Sequence, residues 1–98
     1  MNEKKNLTTE ETFALAIENH KKNNLQIAEN LYKEAIQINP NYAEAHYNLG
    51  IVLQKLGEHQ KAISCFEKAI RISPNFTHAH YNLGIAFNEL NEFNKSAS

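Results

Sequence analysis

The chain has 98 residues, 42% of them apolar and 21% charged, with a formal net charge of −1 and charges of both signs dispersed along it. That balance provides neither a basic stripe for nucleic-acid phosphates nor an apolar run fit to cross a membrane, so nucleic acid and membrane are excluded as expected partners. One cysteine cannot form an internal disulfide, and the start MNEKKNLTTEE lacks the apolar stretch of a cleavable signal, so a cytoplasmic location is expected.

The first predicted helix begins at Thr8. Glu11 stands three residues later, which makes a capping box, and Leu7 is placed as the staple residue before it. Phe13, Ala16, Ile17 and His20 share one face, and Asn23–Asn24 ends the helix because asparagine tolerates the left-handed conformation. The second helix is expected over 25–38, with Ala28, Leu31, Tyr32, Ala35 and Ile38 at three- and four-residue spacing, and Pro40 stops it. Asn41, with Glu44 three residues on, is expected to cap a third helix over 42–56, which Gly57 closes with a positive φ. A fourth runs over 59–72 to Pro74, and Asn75 is expected to cap a fifth over 77–90. Asn91–Glu92 then turns the chain, and residues 93–97 start a sixth. No stretch alternates with period two, so no strand is expected.

The segment Ala45–Ile51 reads AHYNLGI, and Ala79–Ile85 reads AHYNLGI again 34 residues later. Pro40 and Pro74, Ala28 and Ala62, Ala35 and Ala69, and the aromatic pair Tyr32 and Phe66 keep the same offset. A period of this length marks stacked supersecondary units. Gly50 and Gly84 fall mid-helix, where glycine costs about 1 kcal/mol against alanine and so needs a packing reason. For Gly50 the expected reason is a close helix crossing opposite Ala62, with Gly50→Ala near neutral.

The pattern resembles the tetratricopeptide repeat family. The middle unit carries it best, with His46 at the large-residue position, then Leu49, Gly50, Leu53, Ala62, Phe66, Ala69 and Pro74. The first unit keeps Leu15, Ala28, Tyr32, Ala35 and Pro40 but departs at Thr12, Ala16 and Asn19; the third keeps His80, Leu83, Gly84 and Phe87. The resemblance implies an all-α, right-handed α-solenoid of antiparallel helix pairs, about two and a half units long. Its expected division is an N-terminal extension over 1–8, units over 9–42 and 43–76, and a partial unit over 77–98 that is truncated in its second helix.

Nothing in the residues points to catalysis or a cofactor. There is no phosphate-binding glycine loop, no nucleophile elbow and no paired catalytic carboxylates. Of the five histidines, His78 and His80 are two apart and face different ways, and no cysteine or carboxylate cluster completes a metal site. Cys65 reads as a small hydrophobe. By the resemblance, the first helix of each unit lines a concave groove. Carried over residue by residue, that lining is Phe13, Ile17 and His20, then Tyr47, Asn48, Ile51, Gln54 and Lys55, then Tyr81, Asn82, Ile85, Asn88 and Glu89.

Such a groove is aromatic, aliphatic and amide-rich. Asn48 and Asn82 resemble two rungs of the asparagine ladder in the repeat arm of O-linked N-acetylglucosamine transferases, with Ala14 in place of a first rung. The cations of the family's carboxylate clamp are largely missing, since Phe13, Ile17 and His78 stand there. The expected function is a protein–protein interaction module that binds an extended, mostly uncharged peptide. The alternatives are the arm of a larger glycosyltransferase- or sulfotransferase-like enzyme and a self-associating scaffold. Weak self-association is expected through the C-terminal end, where Leu83 and Phe87 lack a full covering helix.

Overall fold

Thr8 opens the first helix as its sequence requires. Its hydroxyl accepts the Glu11 N–H at 3.0 Å, and the Glu11 carboxylate accepts the Thr8 N–H at 2.9 Å, so two orphan donors of the first turn are satisfied reciprocally. Leu7 makes no staple. Its partner position is Thr12, which is buried and spends its hydroxyl on the Thr8 carbonyl at 2.9 Å, while Leu7 stays exposed. The computed structural model describes residues 7–97, so residues 1–6 of the expected extension and Ser98 lie outside the described residues.

Five helices follow in order: α1 (Thr9–Lys21), α2 (Leu25–Ile38), α3 (Ala43–Lys55), α4 (His59–Ile72) and α5 (Thr77–Ala97). Among the described residues there is no strand. α1 packs on α2 and α3 on α4 as antiparallel pairs. α2 against α3 and α4 against α5 join the pairs into a helical solenoid measuring 57 × 28 × 19 Å.

The two intra-pair turns are copies of each other. Asn23 has φ 65° and Gly57 has φ 81°, the left-handed conformation that ends a helix. In both, the next residue's N–H reaches back five positions, Asn24 to the Asn19 carbonyl and Glu58 to that of Leu53, each at 2.8 Å. The inter-pair turns differ from expectation. Asn41 does not cap α3; its N–H is held by the Asn39 side chain at 3.2 Å, Tyr42 takes the cap position, and no side chain caps there. At α5 the Phe76 carbonyl takes the first helical bonds, from Ala79 and His80, and Asn75 is not the cap.

The largest departure is at the end. The expected turn at Asn91–Glu92 does not form, and α5 runs unbroken through it for 21 residues, leaving no sixth helix among the described residues. Asn91 stands in register with Asn23 and Gly57, but the left-handed conformation still carries a cost for a Cβ residue, one that asparagine lowers without removing. That cost is repaid at Asn23 by the whole of α2 packing back. A turn there would also break the α5 hydrogen-bond ladder and require a new helix to nucleate at Phe93. Continuing α5 keeps the i→i−4 hydrogen bonds and lays the Phe93 ring 5.8 Å from that of His59 at the start of α4.

The core runs between the helix rows as Ala16, Ala28, Tyr32, Leu49, Val52, Leu53, Ala62, Ile63, Phe66 and Ala86. The small residue at Gly50 admits Phe66 rather than Ala62, because a Cβ on Gly50 would lie 2.6 Å from Phe66 Cε1. Gly84 has no such neighbour; its Cβ would meet nothing within 4 Å.

Candidate functional site

The histidine at the large-residue position is an anchor. His46 Nε2 lies 2.9 Å from the Pro40 carbonyl, and His80 Nε2 lies 2.9 Å from that of Pro74. A carbonyl only accepts, so in each case Nε2 carries the hydrogen and donates. Each first helix is thereby tied to the turn before it, a job that Thr12 performs for α1. Among the described residues no group of three or more His, Cys, Asp or Glu side chains could hold a metal ion. Burial pushes the Cys65 thiol up to about 11, so it stays protonated at neutral pH.

Two aromatic clusters repeat with the 34-residue offset. The Phe13 ring sits 5.8 Å from Tyr32 and 4.7 Å from Tyr42, and the Tyr47 ring sits 5.8 Å from Phe66 and 4.9 Å from Phe76. Phe13 and Tyr47 therefore wedge successive helix pairs apart at a fixed spacing while remaining half-buried at the groove edge. Tyr81, the third of the series, has no such ring beside it among the described residues and is 68% exposed.

Side-chain bonds tie α3 to α5 along the same face. The Tyr47 hydroxyl donates to Asn82 Oδ1 at 3.0 Å, and Gln54 Nε2 donates to Glu89 Oε1 at 3.1 Å. Asn82 has thus spent one acceptor site but keeps both amide hydrogens. Asn48, half-buried one unit earlier and in register with Asn82, has no such bond, since Phe13, in register with Tyr47, carries no hydroxyl, and its amide has no partner among the described residues.

Part of the predicted lining falls around two concavities, which Phe13, Gln54 and Tyr81 do not line. One, of about 420 Å³, brings Ile17 and His20 of α1 together with Asn48 and Lys55 of α3, over Tyr32, with Lys21 and Asn23 at its rim. The other, of about 490 Å³, joins Ile85, Asn88 and Glu89 to Glu92, Phe93 and Ser96. Those last three entered the site only because α5 continues, a tertiary outcome with no local signal. Tyr32 was legible only as a core ring. Tyr47, Ile51 and Asn82 line neither concavity and are uncharged and half-buried. Charge collects at the two ends, with Lys21 and Lys55 at one and Glu89 and Glu92 at the other.

His20 Nδ1 lies 3.0 Å from the Tyr32 hydroxyl. Burial pushes the Tyr32 phenol up to about 12, so the hydroxyl stays protonated at neutral pH and is able to donate to Nδ1. Burial, with a smaller push from the Lys55 charge, holds His20 below the ordinary histidine range. A neutral His20 accepting at Nδ1 keeps its hydrogen on Nε2.

Comparison with known proteins places this architecture. A family model described as "Tetratricopeptide repeat" matches residues 43–76, and one described as "TPR repeat" matches residues 18–57. Among solved structures, "Crystal structure of MamA" is similar at 36% identity with a TM-score of 0.84, over 86% of this chain and 49% of that one. "Crystal structure of MamA protein" is similar at 37% identity with a TM-score of 0.81, over 83% of this chain and 44% of that one. The chain spans about half the length of these structures. No curated protein matches it.

Proposed function

Because the chain belongs to the tetratricopeptide repeat family, we propose that it binds an extended, mostly uncharged peptide segment of a protein partner along its inner face. The family and the solved structures support a protein–protein interaction module in general terms. The observation that carries the finer reading is the state of the two asparagines. Asn48 offers a half-buried amide with no partner among the described residues, and Asn82 is held in orientation by the Tyr47 hydroxyl with both its N–H groups left over. One asparagine can pair with a peptide N–H and C=O together, and an oriented amide loses less entropy on binding.

Tyr47 and Ile51 supply the apolar contact between the amides, and the charges at the groove ends favour a peptide whose middle is neutral. The role is binding without catalysis, in the cytoplasm, where a lone protonated thiol such as Cys65 suits the reducing environment. Affinity capture of partner proteins by the parent chain and by Asn48→Ala/Asn82→Ala tests the reading. Partners retained by the parent and lost by the double variant support it; equal retention of every partner refutes it.

A further inference from the structure

Where the ends of α2 and α4 meet the turn before α3, the chain forms a third cavity, of about 300 Å³, that shares no lining residue with the two concavities of the inner face. Half-buried Ile36 of α2 and Ile72 of α4, with Pro40, line it with aliphatic surface. Lys68 and Arg71 of α4 and Asn41 of the turn are exposed around it. The turn is held in shape by three hydrogen bonds. His46 Nε2 donates to the Pro40 carbonyl at 2.9 Å, the Asn41 N–H donates to the Asn39 side chain at 3.2 Å, and the Tyr42 N–H donates to the Asn39 carbonyl at 3.2 Å. The cavity is therefore formed before anything enters it.

Packing does not account for the two charges. Lys68 and Arg71 are three residues apart and share a side of α4. Neither makes an ion pair among the described residues, and no acidic side chain among them lines the cavity. The repeat does not ask for cations here, because the residues 34 positions earlier are Glu34 and Gln37. The dipole of α4 favours a cation in its last turn, which covers Arg71, but Lys68 stands a turn earlier. Two unpaired cations beside aliphatic surface complement an anion with an apolar neighbour. We propose that this cavity docks an acidic, aliphatic step, a glutamate next to a leucine, in a segment of a second partner protein. The Arg71 guanidinium and the Lys68 ammonium take the carboxylate, and Ile36, Ile72 and Pro40 take the leucine. The Asn41 amide offers donors and an acceptor to the segment's backbone. Because the site is separate from the groove, the chain can hold an acidic partner here while its groove is occupied.

The test is an NMR titration of the isotope-labelled full chain with acetyl-Gly-Glu-Leu-Gly-amide, blocked at both ends so that the glutamate supplies the only charge. Saturable shifts are expected at millimolar peptide, centred on the backbone amides of Asn41 and His46 and on the side chain of Arg71. Glutamine for the glutamate should weaken binding by about tenfold, the order of one lost charge-assisted hydrogen bond. Glycine for the leucine should do the same through the lost aliphatic contact. Lys68→Gln/Arg71→Gln should match the glutamine peptide, with circular dichroism to check folding, and the peptide series decides the matter however that variant folds. Added salt should weaken binding, because the contact is ionic. Asn48→Ala/Asn82→Ala in the groove should leave it unchanged, which separates this site from the groove. Absence of saturable shifts overturns the proposal. So does equal binding of the glutamine peptide, or shifts centred on the groove. Inorganic phosphate binding with the same shifts and affinity also overturns it, since the site is then a bare pair of cations.

Discussion

Phe66 lays its ring on Gly50 so closely that a Cβ there would stand 2.6 Å from Cε1 and 2.9 Å from Cδ1 and Cζ. Phe66 is fully buried, so its ring cannot swing aside without moving the core. Gly50→Ala should therefore destabilise the fold by about 1–3 kcal/mol, the cost of overpacking, even though alanine favours the helix. Gly84→Ala meets open space and should stabilise by up to about 1 kcal/mol. Denaturant midpoints of the two variants should move in opposite directions; a shift of the same sign in both would contradict the contact.

The helix ends make a parallel contrast. Asn23 holds φ 65°, so Asn23→Ala should cost about 1 kcal/mol, because alanine lacks the side chain whose local hydrogen bonding lets asparagine tolerate the left-handed conformation. Asn91 is inside α5, so Asn91→Ala should be neutral to stabilising by a few tenths of a kcal/mol, roughly the helix-propensity difference. Thermal melts decide the matter. A loss at Asn91 comparable to that at Asn23 would mean that the chain turns there.

His20 makes stability depend on pH. Its folded pKa lies below the unfolded value, so the unfolded chain takes up a proton first as pH falls. Its contribution is complete above about pH 6.5, the ordinary histidine value, and is lost as pH drops from there through the folded pKa. His20→Gln should flatten that part of the pH–stability curve relative to the parent. Curves that stay parallel from pH 7 to about pH 5 would show that protonation at His20 is not disfavoured by folding.

Much of this fold was legible because the deciding residues act locally. Thr8 and Glu11 close their capping box within one turn, Pro40 and Pro74 stop helices by their own geometry, and Gly57 supplies the positive φ that its turn demands. What stayed hidden depends on distant neighbours. Asparagine in register at 23 and 91 takes opposite conformations, left-handed at 23 and helical at 91, which its local sequence does not decide. Gly50 announced a close contact without naming Phe66, since the ring comes from the next helix. At the groove, the repeat register carried Ile17, His20 and Asn48 into one concavity. The pairing of Tyr47 with Asn82 required the spacing between helix pairs, which no single segment encodes.

Peptide affinity at the groove tests the central claim most directly. Extended peptides selected from a random library on the parent chain should be mostly uncharged in their middle, and their affinity should vary little with salt, because few charges are neutralised. Asn48→Ala/Asn82→Ala should weaken them by about 1–3 kcal/mol, the cost of leaving buried peptide groups unsatisfied. Tyr47→Phe, which only frees Asn82 to rotate, should cost less. Isothermal titration of one such peptide against the three proteins supplies the answer. The account predicts that order of losses. Unchanged affinity in the double variant, or binding that vanishes with added salt, would contradict it.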